Sequence, residues 1–153
     1  MDAGSNDINF ADRDMTILLV DDDEIVTELV SRCIASKTSG VRIVSANDGE
    51  EALSVLRADL TDLPQIILLD INMPRMDGFE FLRQLRADEQ LRDRVVFMMS
   101  TSNDPIDVRR AYAMNAAGFI VKSQTGVRFD RVARLMSAYR DCNAFSDSSG
   151  LPI

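Results

Sequence analysis

The chain reads as an open, doubly wound α/β domain, and three observations predict it. Hydrophobic runs of strand length alternate with runs of helical period five times along the 153 residues. The strand-length runs are mostly β-branched or apolar rather than alternating, as in parallel strands buried on both faces. Two of them also end abruptly on acid, residues 16–20 at Asp21-Asp22-Asp23-Glu24 and Ile66-Ile67-Leu68-Leu69 at Asp70. Five strand–helix repeats are too few for an eightfold barrel. Right-handed crossovers in an open sheet remain.

The strands are expected at residues 16–20, 41–46, 66–70, 95–99 and 118–121. Between them apolar residues recur three and four apart, the mark of helices with one buried face. Ile25, Val26, Leu29, Val30, Cys33 and Ile34 form the first such face, and Ala52, Leu53, Val55, Leu56 and Leu60 the second. Phe79, Leu82 and Leu85 carry the third, Ile106, Val108, Ala111 and Tyr112 the fourth. Phe129, Val132, Leu135, Met136 and Tyr139 carry the fifth. Asp23 and Asp77 stand where N-caps of the first and third helices fall, and Pro105 where the fourth helix opens. Residues 1–14 and 143–153 are polar and expected to be flexible, leaving 15–142 as one domain with none appended.

Composition narrows the function. A net charge of −8 with dispersed Lys and Arg argues against nucleic acid or an anionic membrane as a direct partner. No run approaches a membrane span, and residues 1–14 lack a signal-peptide core, so a cytoplasmic location is expected. The absence of histidine removes imidazole metal sites and histidine-based triads. Cys33 and Cys142 lack metal-ligand spacing and read as incidental thiols. The methionines, Met73, Met76, Met98 and Met99 among them, read as packing.

In the flavodoxin-like strand order 2-1-3-4-5, strands 1, 3, 4 and 5 lie side by side with their carboxyl ends at one edge. That edge receives Asp21 and Asp22, Asp70, Ser100 and Lys122. Carboxylates on neighbouring strands stand about 4.7–4.9 Å apart. At roughly 4 Å and an effective dielectric near 20, each like-charge pair costs about 4 kcal/mol. A divalent cation with oxygen ligands is the natural counter-charge. The central carboxylate can then coordinate it or attack a phosphoryl group, while the ammonium and hydroxyl meet phosphoryl oxygens.

These residues resemble the CheY-like receiver domain of two-component response regulators. The matching segments are Ile17-Leu18-Leu19-Val20-Asp21-Asp22-Asp23, residues 66–78 around Asp70 with Asn72, Met73-Pro74 and Asp77-Gly78, residues 95–102, and Gly118-Phe119-Ile120-Val121-Lys122. The resemblance implies that Asp70 accepts a phosphoryl group from a histidine kinase, of phytochrome or hybrid type. It implies Mg²⁺ on Asp22, Asp70 and the backbone carbonyl of Asn72, with Asp21 acting through water or Lys122. Ser100, Thr101, Lys122 and Phe119 take the phosphoryl-binding and switch positions. The face formed by the fourth helix, fifth strand and fifth helix would signal to a downstream protein or pair with a second copy. The short loops and the connection at 86–94 resemble single-domain receivers that serve phytochrome-type kinases.

Two positions depart from the family. Ser123 stands where many members carry a cis proline after the lysine, and a cis bond before a non-proline residue costs about 2.5–4 kcal/mol. Phe119 lacks the tyrosine hydroxyl common at its position. Two other classes stay open. A haloacid-dehalogenase-type phosphatase would use Asp21 as nucleophile, although no acidic pair follows Lys122 and no cap is inserted. A docking domain independent of phosphorylation would use neither carboxylate.

Overall fold

A computed structural model describes residues 15–143 and 145. The expectations for residues 1–14 and for most of 143–153 lie outside the described residues. Five strands, β1 (Met15–Val20), β2 (Val41–Ala46), β3 (Ile66–Asp70), β4 (Val95–Ser100) and β5 (Gly118–Val121), form one sheet. Every pairing is parallel and the order is β2-β1-β3-β4-β5, as the sequence predicts. Helices α1 (Glu24–Lys37), α2 (Gly49–Ala58), α3 (Gly78–Ala87), α4 (Pro105–Ala113) and α5 (Asp130–Cys142) connect and follow the strands. β1 begins one residue earlier than its apolar run suggests, and β4 extends one residue further, onto Ser100.

The apolar strands split their side chains between two cores. Leu18, Val20, Ile67, Leu69, Val96 and Met98 join the α2, α3 and α4 side, with Phe81, Leu82 and Ala111. Ile17, Leu19, Ile66, Leu68, Phe97 and Met99 join the α1 and α5 side, with Val30, Ile34, Val132 and Met136. Alternation along each strand sends successive side chains to opposite faces, so a continuous hydrophobic run is required to fill both.

Four helices open on aspartate. Asp23 accepts from the N–H groups of Ile25 and Val26, Asp48 from Glu51, Asp77 from Glu80 and Asp104 from Ile106. Such caps satisfy amides that have no partner within the helix, each contributing about 1 kcal/mol. α5 differs. Arg128 and Phe129 both adopt left-handed backbone before it, and no side chain caps it. Phe129, expected on the helix's apolar face, therefore precedes the helix.

Among the described residues no peptide bond is cis, and residues 122–124 form a single 3-10 turn that begins at Lys122. At the opposite end of the sheet Arg86 gathers the connections. Its guanidinium donates to the carbonyls of Met114 and Asn115, each at 3.0 Å, and of Arg92 and Arg94 at 2.7 and 2.8 Å. The Arg110 guanidinium stacks 4.1 Å over the Phe79 ring, fastening α4 to α3.

Candidate functional site

Register brings the site together. Val20 pairs with Leu69, so the next residue on each strand, Asp21 and Asp70, emerges at the same level of the sheet edge. Asp70 pairs with Met99, which places Ser100 one step beyond it, and Ser100 pairs with Val121, immediately before Lys122. Carboxylate oxygens of Asp21, Asp22 and Asp70 lie within 4.8 Å of one another. Asp21 and Asp70 are buried, at 1% and 4% exposure, while Asp22 faces solvent.

Lys122 closes the cluster. Its ammonium donates to Asp21 Oδ2 at 3.0 Å and stands 3.1 Å from Asp70 Oδ1. The second oxygen of Asp21 accepts from the Asp23 N–H at 2.9 Å. Asp21 is thus bound on both oxygens within the protein. Asp22, by contrast, is exposed, although a carboxylate oxygen of it stays within 4.8 Å of the other two acids.

Charge balance at the site is incomplete. Burial, followed by the Asp21 charge, pushes the Asp70 carboxyl up to about 6, against the pull of Lys122. Burial also works against the Lys122 charge, but Asp70 and Asp21 outweigh it and hold the ammonium above the ordinary lysine value. One ammonium faces three carboxylates. An all-oxygen donor set with net negative charge, two of its acids buried, suits a hard divalent cation.

The flanking loops hold their own geometry. The Ile71 N–H donates to Met99 and the Gly78 N–H returns to Ile71 O at 2.8 Å, closing residues 71–78 into a compact loop. A Cβ on Gly78 would press on the Asp70 carbonyl and stand 2.9 Å from Ile71 Cα, so only glycine permits this closure. Met73 is buried beneath the loop, and Asn72 is exposed beside Asp70. On the other side Ser100 is buried, at 1% exposure, and its hydroxyl oxygen accepts from the Ser102 N–H at 3.0 Å. Thr101 is exposed, and Phe119 is half-buried against the α2–α3–α4 core.

Asp21, Asp22, Asp70 and Lys122 therefore converge as the sequence suggests, with Ser100 on the adjoining strand end. Sequence reading passed over Asp48 and Arg75. The Arg75 guanidinium donates to Asp48 Oδ2 at 2.7 Å, tying the loop after Asp70 to the start of α2. The signal for Asp48 was present as Asp48-Gly49-Glu50-Glu51, a capping pattern, but nothing in the sequence announces its pairing with Arg75.

A carboxylate cluster with one ammonium, at the carboxyl edge of a 2-1-3-4-5 parallel sheet, defines a receiver module of signal transduction. The response regulator receiver domain model matches residues 17–132, and the chain belongs to that family. Over 121 residues it is 34% identical to the probable methanogenesis regulatory protein FilR2 of Methanothrix harundinacea, covering 77% of this chain and 78% of the relative. Over 119 residues it is 33% identical to the two-component response regulator ORR3 of Oryza sativa subsp. indica, covering 78% and 86%. The solved structure of the phosphorylated cyanobacterial phytochrome response regulator RcpA superposes with a TM-score of 0.76 at 27% identity. That match covers 86% of this chain and 97% of the other. Family membership places the chain among receivers rather than haloacid-dehalogenase-type phosphatases.

Proposed function

We propose that the chain accepts a phosphoryl group on Asp70 from a histidine kinase and relays the change through its α4–β5–α5 face. The observation that carries this reading is the Lys122 ammonium, held 3.1 Å from Asp70 and 3.0 Å from Asp21 at a buried strand end. A carboxylate oxygen of Asp70 attacks phosphorus, the bond to the donor imidazole nitrogen breaks, and an acyl phosphate forms. Asp22, Asp70 and the Asn72 carbonyl would hold Mg²⁺, with Asp21 contributing indirectly while it positions Lys122. Bound there, the cation would neutralise phosphoryl oxygens.

Lys122 supplies the protein's own positive charge, and Ser100 a hydroxyl able to turn toward a phosphoryl oxygen. The added group brings about −1.5 to −2 charge and three acceptor oxygens to the edge. Thr101 and the rest of the 101–104 loop reorder toward it, and half-buried Phe119 repacks. In this reading residues 15–142 form the receiver unit. It works in the cytoplasm as a phosphoacceptor rather than an enzyme acting on a separate substrate. RcpA's description as a phytochrome response regulator supports a phytochrome-type kinase as donor. The output partner is a protein or a second copy of the chain.

Acetyl phosphate and Mg²⁺, followed by borohydride trapping and peptide mapping, test the assignment. Label on Asp70 is expected. Label on Asp21, or none at all, overturns it.

A further inference from the structure

We infer that the Arg75–Asp48 pair positions the loop carrying Asn72, and thereby sets the affinity of the site for its divalent cation. The inference rests on the proposed metal-binding role of Asp22, Asp70 and the Asn72 carbonyl. Two independent contacts support it.

The loop's base and its tip are held differently. The base closes on itself through Ile71 and Gly78 and is fastened to β4 through Met99. The tip rests on α2. Arg75, in left-handed backbone at φ 66°, reaches Asp48 at 2.7 Å. Met76 seats against Gly49, where a Cβ would come within 2.8 Å of its sulfur and 2.9 Å of Cγ. Asp48 is itself buried and immobilised, because its other oxygen caps α2 by accepting from Glu51 N–H at 2.8 Å.

Asn72 lies between these two anchors and its side chain is exposed. The direction of its carbonyl is therefore set by the base on one side and the tip on the other. Removing the tip anchor frees the carbonyl to rotate while leaving Asp22 and Asp70 in place. Groups that orient metal ligands from behind alter affinity about 10–100-fold when lost. Arg75 is thus a positioning residue, acting through the loop.

Charge gives the test a sign. Arg75→Gln removes a cation near the site, so electrostatics alone would strengthen Mg²⁺ binding. Asp48→Asn removes an anion, so electrostatics alone would weaken it. Positioning demands that both weaken binding. Asparagine keeps the α2 cap, and the Arg75 side chain is exposed, so both variants should stay folded.

Calorimetric titration of the full chain with Mg²⁺ decides the matter. Each single variant is expected to bind about tenfold more weakly. The double variant should be no weaker than the singles, and Arg75→Lys should recover part of the loss. Unchanged affinity in either variant, tighter binding by Arg75→Gln, or additive losses in the double overturns the inference. A wild-type chain that takes up no Mg²⁺ overturns the reading of the site itself.

Discussion

Two loops flank Asp70, and they are built in opposite ways. Residues 71–77 are fixed by a backbone closure that only Gly78 allows, a buried Met73 and an ion pair to α2. Residues 101–104 are exposed throughout, and their hydrogen bonds are local. Ser102 N–H donates to Ser100, Asp104 N–H to Ser102, and Ile106 N–H to Asp104. Each of these can break without unsatisfying a distant group. The difference assigns a rigid side that holds Asp70 and a soft side that can answer a change there. α4 shows the same gradient, with Ile106 67% exposed near its start and Arg110 stacked on Phe79 near its end.

The contrast breaks most sharply at Gly78. Gly78→Ala must displace the backbone of Asp70 and Ile71, and should cost about 3 kcal/mol by urea denaturation, within the range for forced overpacking. Loss of Mg²⁺ binding should accompany it. A change under 1 kcal/mol would mean that the rigid loop is not rigid.

The charge between the loops gives the next effect. Burial pushes the Asp70 carboxyl up to about 6 in the fold from its ordinary 3.8, so the folded state binds the proton more tightly than the unfolded chain. The associated stability is fully present below pH 3.8 and lost as pH rises through 6. A rise of that size corresponds to about 3 kcal/mol. In metal-free buffer Asp70→Asn should therefore match the wild type near pH 4 and exceed it by about 2–3 kcal/mol at pH 7. Parallel stability curves across that interval would show that Lys122 already balances the cluster.

Effects on the soft side should be smaller. Asp104→Ala removes the α4 cap and is expected to cost about 1 kcal/mol in thermal or urea unfolding. Ile106→Ser, at an exposed position, should stay within about 0.5 kcal/mol. Losses there approaching that of Gly78→Ala would erase the distinction between the loops.

Sheet order and strand positions were legible because most of the strands are covered on both faces, which favours apolar runs, two of them ending on the acidic cluster. Asp23, Asp77 and Pro105 were legible as helix starts because capping is local. Pairings between distant residues away from the strand ends were not. Arg75 and Asp48 lie 27 positions apart with no shared period, and Arg86 finds its four carbonyls only once two connections meet. Helical spacing also over-assigned burial. Ile25, placed on the first apolar face, is 72% exposed in the first turn of α1, and Leu135 is exposed on α5. Periodicity reports which residues share a face, whereas only the packed neighbours decide how far cover extends. Left-handed Arg128 and Phe129 carried no local signal, since neither is glycine or asparagine.

Lys122 meets Asp21 across 101 positions of sequence. The first strand and the last must both be in place before the ammonium can find its acids, so the site exists only in the completed sheet. A fragment ending before β5 would hold three carboxylates and no counter-charge. Whatever binds the finished site recognises the whole fold and not the unfolded chain, so saturation at a hundred times Kd adds about 2.7 kcal/mol to global stability. The same lysine that offsets part of the charge thereby makes ligand occupancy a check on whether the chain has finished folding.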